Sequence, residues 1–213
     1  LDGQFVRLDT IAIIESGGRK AGVPDDVIQE QIEDAGRIVR AHSQHLSMFL
    51  LASEAGTGKT FVLGAAIREL QNRGVGRIIY VTLRKELIAQ VKSDLRGFGN
   101  LEHVQFMTYN AMRTGTPQAS DVIIFDEAHS IKNLTEEASL QAESAVHWID
   151  QSGFTILASA TPYENPMEVK FLKSTGVFEP IFGSFRNFAL AFGATANHLS
   201  NGEVRVSWRR GPD

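Results

Sequence analysis

Residues 50–63 read LLASEAGTGKTFVL. An apolar run ends at Ala52, small residues follow, and Lys59 and Thr60 open a segment with helical spacing. Gly56 and Gly58 sit just ahead of the lysine, between two apolar stretches. A chain bends this way where successive backbone N–H groups must turn inward with no Cβ in the way. The N-terminus of the following helix adds partial positive charge to the same spot. The bend is therefore built for an anion, and a strand-to-helix bend implies strands and helices in alternation.

The rest of the chain supplies that alternation. MFLLAS, RIIYVT, VQFMTY, DVIIFD and FTILAS are short apolar runs, expected as strands. Between them fall helical patterns over 60–72, 84–96 and 134–150, and a further helix is expected over 25–42 behind Pro24. Strands separated by helices imply right-handed crossovers and a mainly parallel sheet with helices on both faces, an α/β fold. Residues 6–14 carry a short β-like run, followed by a glycine-rich break at Gly17 and Gly18. After Pro166, Phe171, Phe178, Phe182, Phe185, Phe188 and Phe192 suggest helical segments packed on the domain edge. Trp148 reads as core packing. The organisation expected is an N-terminal extension (1–24), a main α/β domain around the bend (25–182), and a tail or start of a linker (183–213).

Composition narrows the function. The chain has 213 residues, 43% hydrophobic and 22% charged, an ordinary globular balance. It has no cysteine, which excludes disulfides and thiolate zinc sites. No apolar run approaches the roughly 20 residues of a membrane span, so no membrane partner is expected; the lack of cysteine fits a reducing interior, and a cytoplasmic location is expected. Net charge is −4, so nucleic acid would be met by local patches and not by bulk charge.

Residues 53–60, SEAGTGKT, meet the Walker A pattern in its required strand–helix context. The first position, commonly Gly or Ala, is Ser53, still small enough for the loop to close. The expected ligand is ATP with Mg²⁺. Ser53, Gly56, Thr57, Gly58, Lys59 and Thr60 are the candidate phosphate binders, with Lys59 reaching the β- and γ-phosphates and the Thr60 hydroxyl on Mg²⁺. VIIFDEAH puts Asp126 and Glu127 at the C-terminal end of a strand, the edge where open α/β sheets bind ligands. Asp126 is the candidate metal holder through its water shell. Glu127 is the candidate base for the attacking water.

GTGKT, DEAH and SAT (Ser159, Ala160, Thr161), in that order, resemble the first RecA-like lobe of superfamily 2 helicases and translocases over most of residues 25–190. The resemblance implies a RecA-like P-loop NTPase lobe and an ATP hydrolase. LRKELIAQ (83–90) resembles motif Ia, with Lys85 at its usual Arg position and Leu83 replacing the usual Pro; MTYNAMR (107–113) resembles motif Ib. These imply nucleic-acid contacts at Lys85, Thr108 and Arg113. The adenine-reading glutamine falls on Gln29 or Gln31, the spacing favouring Gln31. His129, Ser159 and Thr161 are implied to couple the γ-phosphate site to the nucleic-acid surface. DEAHSIKN, TPYENPMEVKFL and FGSFRNFALAF are most similar to Swi/Snf-type double-stranded DNA translocases, which implies DNA rather than RNA as partner. Ser-Ala-Thr in place of the remodellers' Gly-Thr points to a bacterial or viral relative, with a nuclear one left open.

Other residues invite plainer readings. His129 could ligate a metal, but a hydrogen-bonding link fits it better. Arg84, Lys85, Lys92 and Arg96 share a helix that reads equally as a solvated face. Arg209 and Arg210 lie in a terminal tail without a motif and are not assigned as an arginine finger. About 50 residues follow Thr161, too few for the second RecA-like lobe that supplies such a finger, worth about 10³–10⁵ in rate. The chain reads as a piece of a longer protein that alone binds nucleotide modestly and hydrolyses it slowly. Two other classes compete: a protein-remodelling P-loop ATPase, which calls for a sensor asparagine where Ser-Ala-Thr-Pro stands, and a nucleotide-binding scaffold without chemistry, which intact Lys59, Asp126 and Glu127 oppose.

Overall fold

The computed structural model describes residues 2–53, 56–132, 139–161, 163, 165–198 and 204–207. Five strands form one sheet: β1 (Met48–Ala52), β2 (Ile78–Thr82), β3 (Val104–Thr108), β4 (Ser120–Asp126) and β5 (Ser152–Ser159). Their order is β1-β5-β4-β2-β3 and every pairing is parallel. The strand ends that carry the sequence motifs therefore share one edge. Ala52 stands opposite Ser159, and Ala158 opposite Asp126.

The α/β reading holds, and helices cover both faces. α1 (Leu8–Lys20), α2 (Asp25–Ser43), α3 (Lys59–Asn72) and α4 (Lys85–Leu95) pack on one, burying Ile14, Ile32, Leu63 and Leu95 against Ile78, Tyr80, Val122 and Ile124. α5 (Tyr109–Thr114) and α6 (Leu140–Ile149) pack on the other, against Ile79, Val81, Ile123 and Phe125. Buried residues alternate between the two clusters along β2 and β4, as a two-faced sheet requires. The fold is RecA-like.

Residues 6–14 are not a strand. α1 runs through them and past Gly17 and Gly18, burying Thr10, Ile14 and Gly18 at helical spacing. The two glycines mark close approach, not a break. A Cβ on Gly17 would collide with the Phe61 ring of α3, and one on Gly18 would stand 2.7 Å from Ile28 of α2. Across the same contact, buried Glu69 of α3 accepts from Thr10 Oγ1 at 2.5 Å and from Arg73 Nη1 at 2.8 Å. Packing against α2 and α3 thus overrides the β-branched bias of the segment.

Beyond β5 lie a 3₁₀ helix (Pro166–Thr175), α7 (Glu179–Phe182) and α8 (Phe185–Ala191). They bury Phe171, Phe178 and Phe185 beside the second cluster, while Phe192 stays exposed. A small antiparallel pair, β6 (Thr195–His198) with β7 (Val204–Ser207), was not expected from the sequence. Residues Glu54, Ala55, Asn133, Pro162, Arg209 and Arg210, and residues 134–138 of the expected long helix, lie outside the described residues. No helix among the described residues is long and apolar enough to cross a membrane.

Candidate nucleotide site

The bend after β1 has the backbone its sequence demands. Gly56 and Gly58 take φ +83° and +84°, the left-handed region that glycine enters without Cβ strain. Gly58 caps α3, whose first residue is Lys59, and no side chain among the described residues caps that helix. Phe61 N–H and Val62 N–H turn back to the Gly58 carbonyl. The N-terminus of this 14-residue helix thus faces the bend with no side-chain acceptor among the described residues.

Gln31 packs against the loop from α2. Its Nε2 donates to the Thr57 carbonyl at 2.6 Å, and its buried Oε1 has no partner among the described residues. Gln29 instead faces solvent and donates to Glu33. Of the two glutamines, Gln31 is therefore the one at the loop. It lines a pocket of about 350 Å³ with Val27, Glu30, Asp34, Ser53 and Thr57. Burial raises the Asp34 carboxyl above its ordinary value, partly offset by Arg37. An orphaned acceptor on a buried amide is costly, so the pocket suits a ligand that donates a hydrogen bond there.

Asp126 ends β4, and Glu127 peels the chain off the sheet with φ 54° and ψ 50°. Glu127 N–H donates to Asp126 Oδ1 at 3.0 Å, Tyr80 Oη to Asp126 Oδ2 at 3.0 Å, and Tyr109 Oη to the Asp126 carbonyl at 2.8 Å. Burial raises the Asp126 carboxyl; the Tyr80 bond opposes it, Glu127 adds to it, and the Lys59 ammonium lowers it again. The field of Lys59 thus reaches Asp126 across the sheet edge. A hydroxyl (Thr60) and a carboxylate (Asp126) are hard oxygen donors suited to Mg²⁺. No group of three or more ligating side chains forms a metal cage among the described residues. One carboxylate, with phosphate and water completing the shell, is how Mg²⁺ is ordinarily held.

His129, Ser159 and Thr161 come together. His129 Nδ1 is 3.2 Å from Ser159 Oγ and 3.3 Å from Glu127 Oε2, and Thr161 N–H donates to Ser159 Oγ at 3.2 Å. Ser159 is buried at the end of β5, between the loop strand and the acidic strand. The three residues therefore link Glu127 to the segment leaving β5.

Lys85, Thr108 and Arg113 lie at the other end of the same edge, on or beside β2 and β3. Lys85 opens α4 and is exposed. Arg113 is exposed and donates to Asn110 Oδ1 at 3.1 Å. Thr108 differs: it is buried and its hydroxyl caps α5, accepting from Ala111 N–H at 3.1 Å. Its side chain is committed inside the chain. Tyr80 and Tyr109, which hold Asp126, were absent from the sequence reading. The available signal was a tyrosine in an otherwise aliphatic strand, whose hydroxyl needs a partner once buried.

Residues 26–114, from α2 to the end of α5, match the model of the family described as Type III restriction enzyme, res subunit. No curated protein matches the chain. Among solved structures the chain is similar to the Sulfolobus solfataricus SWI2/SNF2 ATPase core in complex with dsDNA. The two are 18% identical with a TM-score of 0.59, and the match covers 75% of this chain and 37% of that one. At that identity the likeness is one of fold.

Proposed function

We propose that this chain is a RecA-like lobe of the superfamily 2 helicase class, the ATP-binding lobe of a motor that moves along double-stranded DNA; the family match over residues 26–114 and the shared fold support this reading. Ser53, Gly56, Thr57, Gly58, Lys59 and Thr60 hold the phosphates. Gln31 and its pocket take the base, with Oε1, which has no partner among the described residues, accepting from an exocyclic amine. Thr60 and Asp126 hold Mg²⁺, which when bound neutralises charge building on the transferred phosphoryl group. Glu127 takes the proton of the attacking water, and His129, Ser159 and Thr161 carry the change at the γ-phosphate away from the site.

The observation that carries this reading is the shared sheet edge. Ala52 and Asp126 end strands that flank β5, about 10 Å apart at ordinary strand spacing. That gap is the right scale for a phosphate chain with a metal between. The DNA-complexed state of the SWI2/SNF2 core supports DNA as the track. Lys85 and Arg113 form the contact surface, and Thr108 contributes by shaping α5 rather than by its hydroxyl. A second RecA-like lobe, in the same or another chain, closes over the nucleotide.

The test is equilibrium binding of a fluorescent ATP analogue with Mg²⁺ and with EDTA. The wild type should bind more tightly with Mg²⁺, and Lys59→Ala should lose most of the affinity. Equal affinity in Lys59→Ala would refute the site. Steady-state hydrolysis by the chain alone should be slow with or without duplex DNA; brisk DNA-stimulated turnover would refute the need for a second lobe.

A further inference from the structure

We propose that Tyr80 and Tyr109 are positioning residues: their phenols grip Asp126 from opposite faces of the sheet and set the backbone turn that aims Glu127. This rests on the reading of Lys59, Asp126 and Glu127 as a nucleotide site.

Tyr80 packs with Ile78 and Ile124 in the cluster beneath α2 and α3, whereas Tyr109, the first residue of α5, packs with Val81 and Phe125 in the cluster on the other face. Side chains alternate along β4, so Asp126, two residues after Ile124, projects to the Tyr80 face. That is the face of α3, where Lys59 stands. Tyr80 Oη meets the carboxylate there at 3.0 Å, while Tyr109 reaches the carbonyl of the same residue at 2.8 Å from beneath the opposite face. With the Glu127 N–H on Oδ1, one residue receives three donors.

Each bond does something different. The Tyr80 bond occupies part of Oδ2 and fixes the carboxylate's rotation, which decides where its free lone pairs point. The Tyr109 bond lies beyond the last rung that β4 shares with β2, Phe125 opposite Val81. It holds the peptide that leads into Glu127, a non-glycine residue at φ 54°. Such backbones persist where the surroundings over-determine them. Both rings are almost fully buried, at 0% and 1% exposure, and each is wedged by a second aromatic, Phe106 beside Tyr80 and Phe125 beside Tyr109. The rings hold their place by packing, so removing a hydroxyl alone deletes the bond and leaves the fold.

Tyr80→Phe and Tyr109→Phe are the variants to compare with wild type. Nucleotide affinity is measured with Mg²⁺ and with EDTA, and single-turnover hydrolysis with protein in excess. Tyr80→Phe should reduce the Mg²⁺-dependent part of the affinity about 10-fold, the scale seen when an outer partner of a metal ligand is lost, and leave the EDTA affinity unchanged. Tyr109→Phe should keep both affinities and slow the single turnover. In an Asp126→Ala background, Tyr80→Phe should have no further effect on the Mg²⁺ dependence. Equal losses with Mg²⁺ and with EDTA would mark a merely structural role and overturn the proposal, as would wild-type behaviour in both variants. A wild type whose affinity ignores Mg²⁺ would overturn the nucleotide site itself, and the proposal with it.

Discussion

Replacing Gly58 by alanine tests the loop and its glutamine together. The backbone there sits at φ +84°, where an L residue costs about 1–2 kcal/mol. The new Cβ would also fall inside contact distance of Gln31 Nε2. Gln31 must then swing away and lose its 2.6 Å bond to the Thr57 carbonyl, a net loss of about 0.5–1.5 kcal/mol. The combined cost is about 1.5–3.5 kcal/mol, or about 3–14 °C in Tm for a domain of this size. Urea unfolding of wild type, Gly58→Ala, Gln31→Ala and the double variant separates the parts. In the Gln31→Ala background the clash and the bond are already gone, so Gly58→Ala should cost only its backbone strain. The cycle should therefore show a coupling of about 0.5–1.5 kcal/mol. Additivity within about 0.3 kcal/mol would refute the contact between glutamine and loop.

Two further outcomes concern buried acids. Burial would raise the Glu69 carboxyl, but Thr10, Arg73 and the Arg7 N–H outweigh it and hold the group below its ordinary 4.5. Its ionised form therefore favours the fold, with a contribution present above pH 4.5 and lost as pH falls through the depressed value. Glu69→Gln should cost about 1.5–3 kcal/mol at pH 7 by urea unfolding, and the gap should close on acidification. Asp126 behaves oppositely. Burial raises it above its ordinary 3.8, so its ionised form disfavours the fold, and stability is lost as pH rises through the raised value. Without Mg²⁺, Asp126→Asn should raise Tm at pH 7, and the gain should fade as pH falls towards 4; an unchanged Tm at both pH values would refute the burial argument.

The sheet was legible because its signal is local. Runs such as IIYVT and VIIF are apolar throughout, as strands covered on both faces must be, and glycine or a cap marks most helix ends. The errors came where a partner decides. The segment IAII favours a strand by composition, yet Thr10, Ile14 and Gly18 face helices that a linear pattern cannot show. Gly17 and Gly18 look like a break until Phe61 and Ile28 are seen to need the room. α5 escaped notice because a six-residue helix offers under two turns of periodicity, although Thr108 followed by Asn110 and Ala111 is a capping arrangement. β6 has almost no strand character in its Thr-Ala-Asn-His.

The candidate site divides along the same line. Gly56, Gly58 and Lys59 can be read from spacing, because the strand, bend and helix that give them meaning are consecutive. Asp126 can be read too, since a carboxylate ending an apolar strand has little structural use. The residues that position these groups cannot be read so, because each acts across a gap in sequence: Gln31 on Thr57, Tyr80 and Tyr109 on Asp126, Ser159 on His129. Separations of 26, 46, 17 and 30 residues are closed only by the fold, whose strand order places β5 between the loop strand and the acidic strand. Had β1 paired with β4 directly, the gap would shrink to one strand spacing, about 5 Å, too narrow for a phosphate with its metal. Ser159 would then lose its place between them. The topology thus sets the size of the site, and the motifs only supply its chemistry.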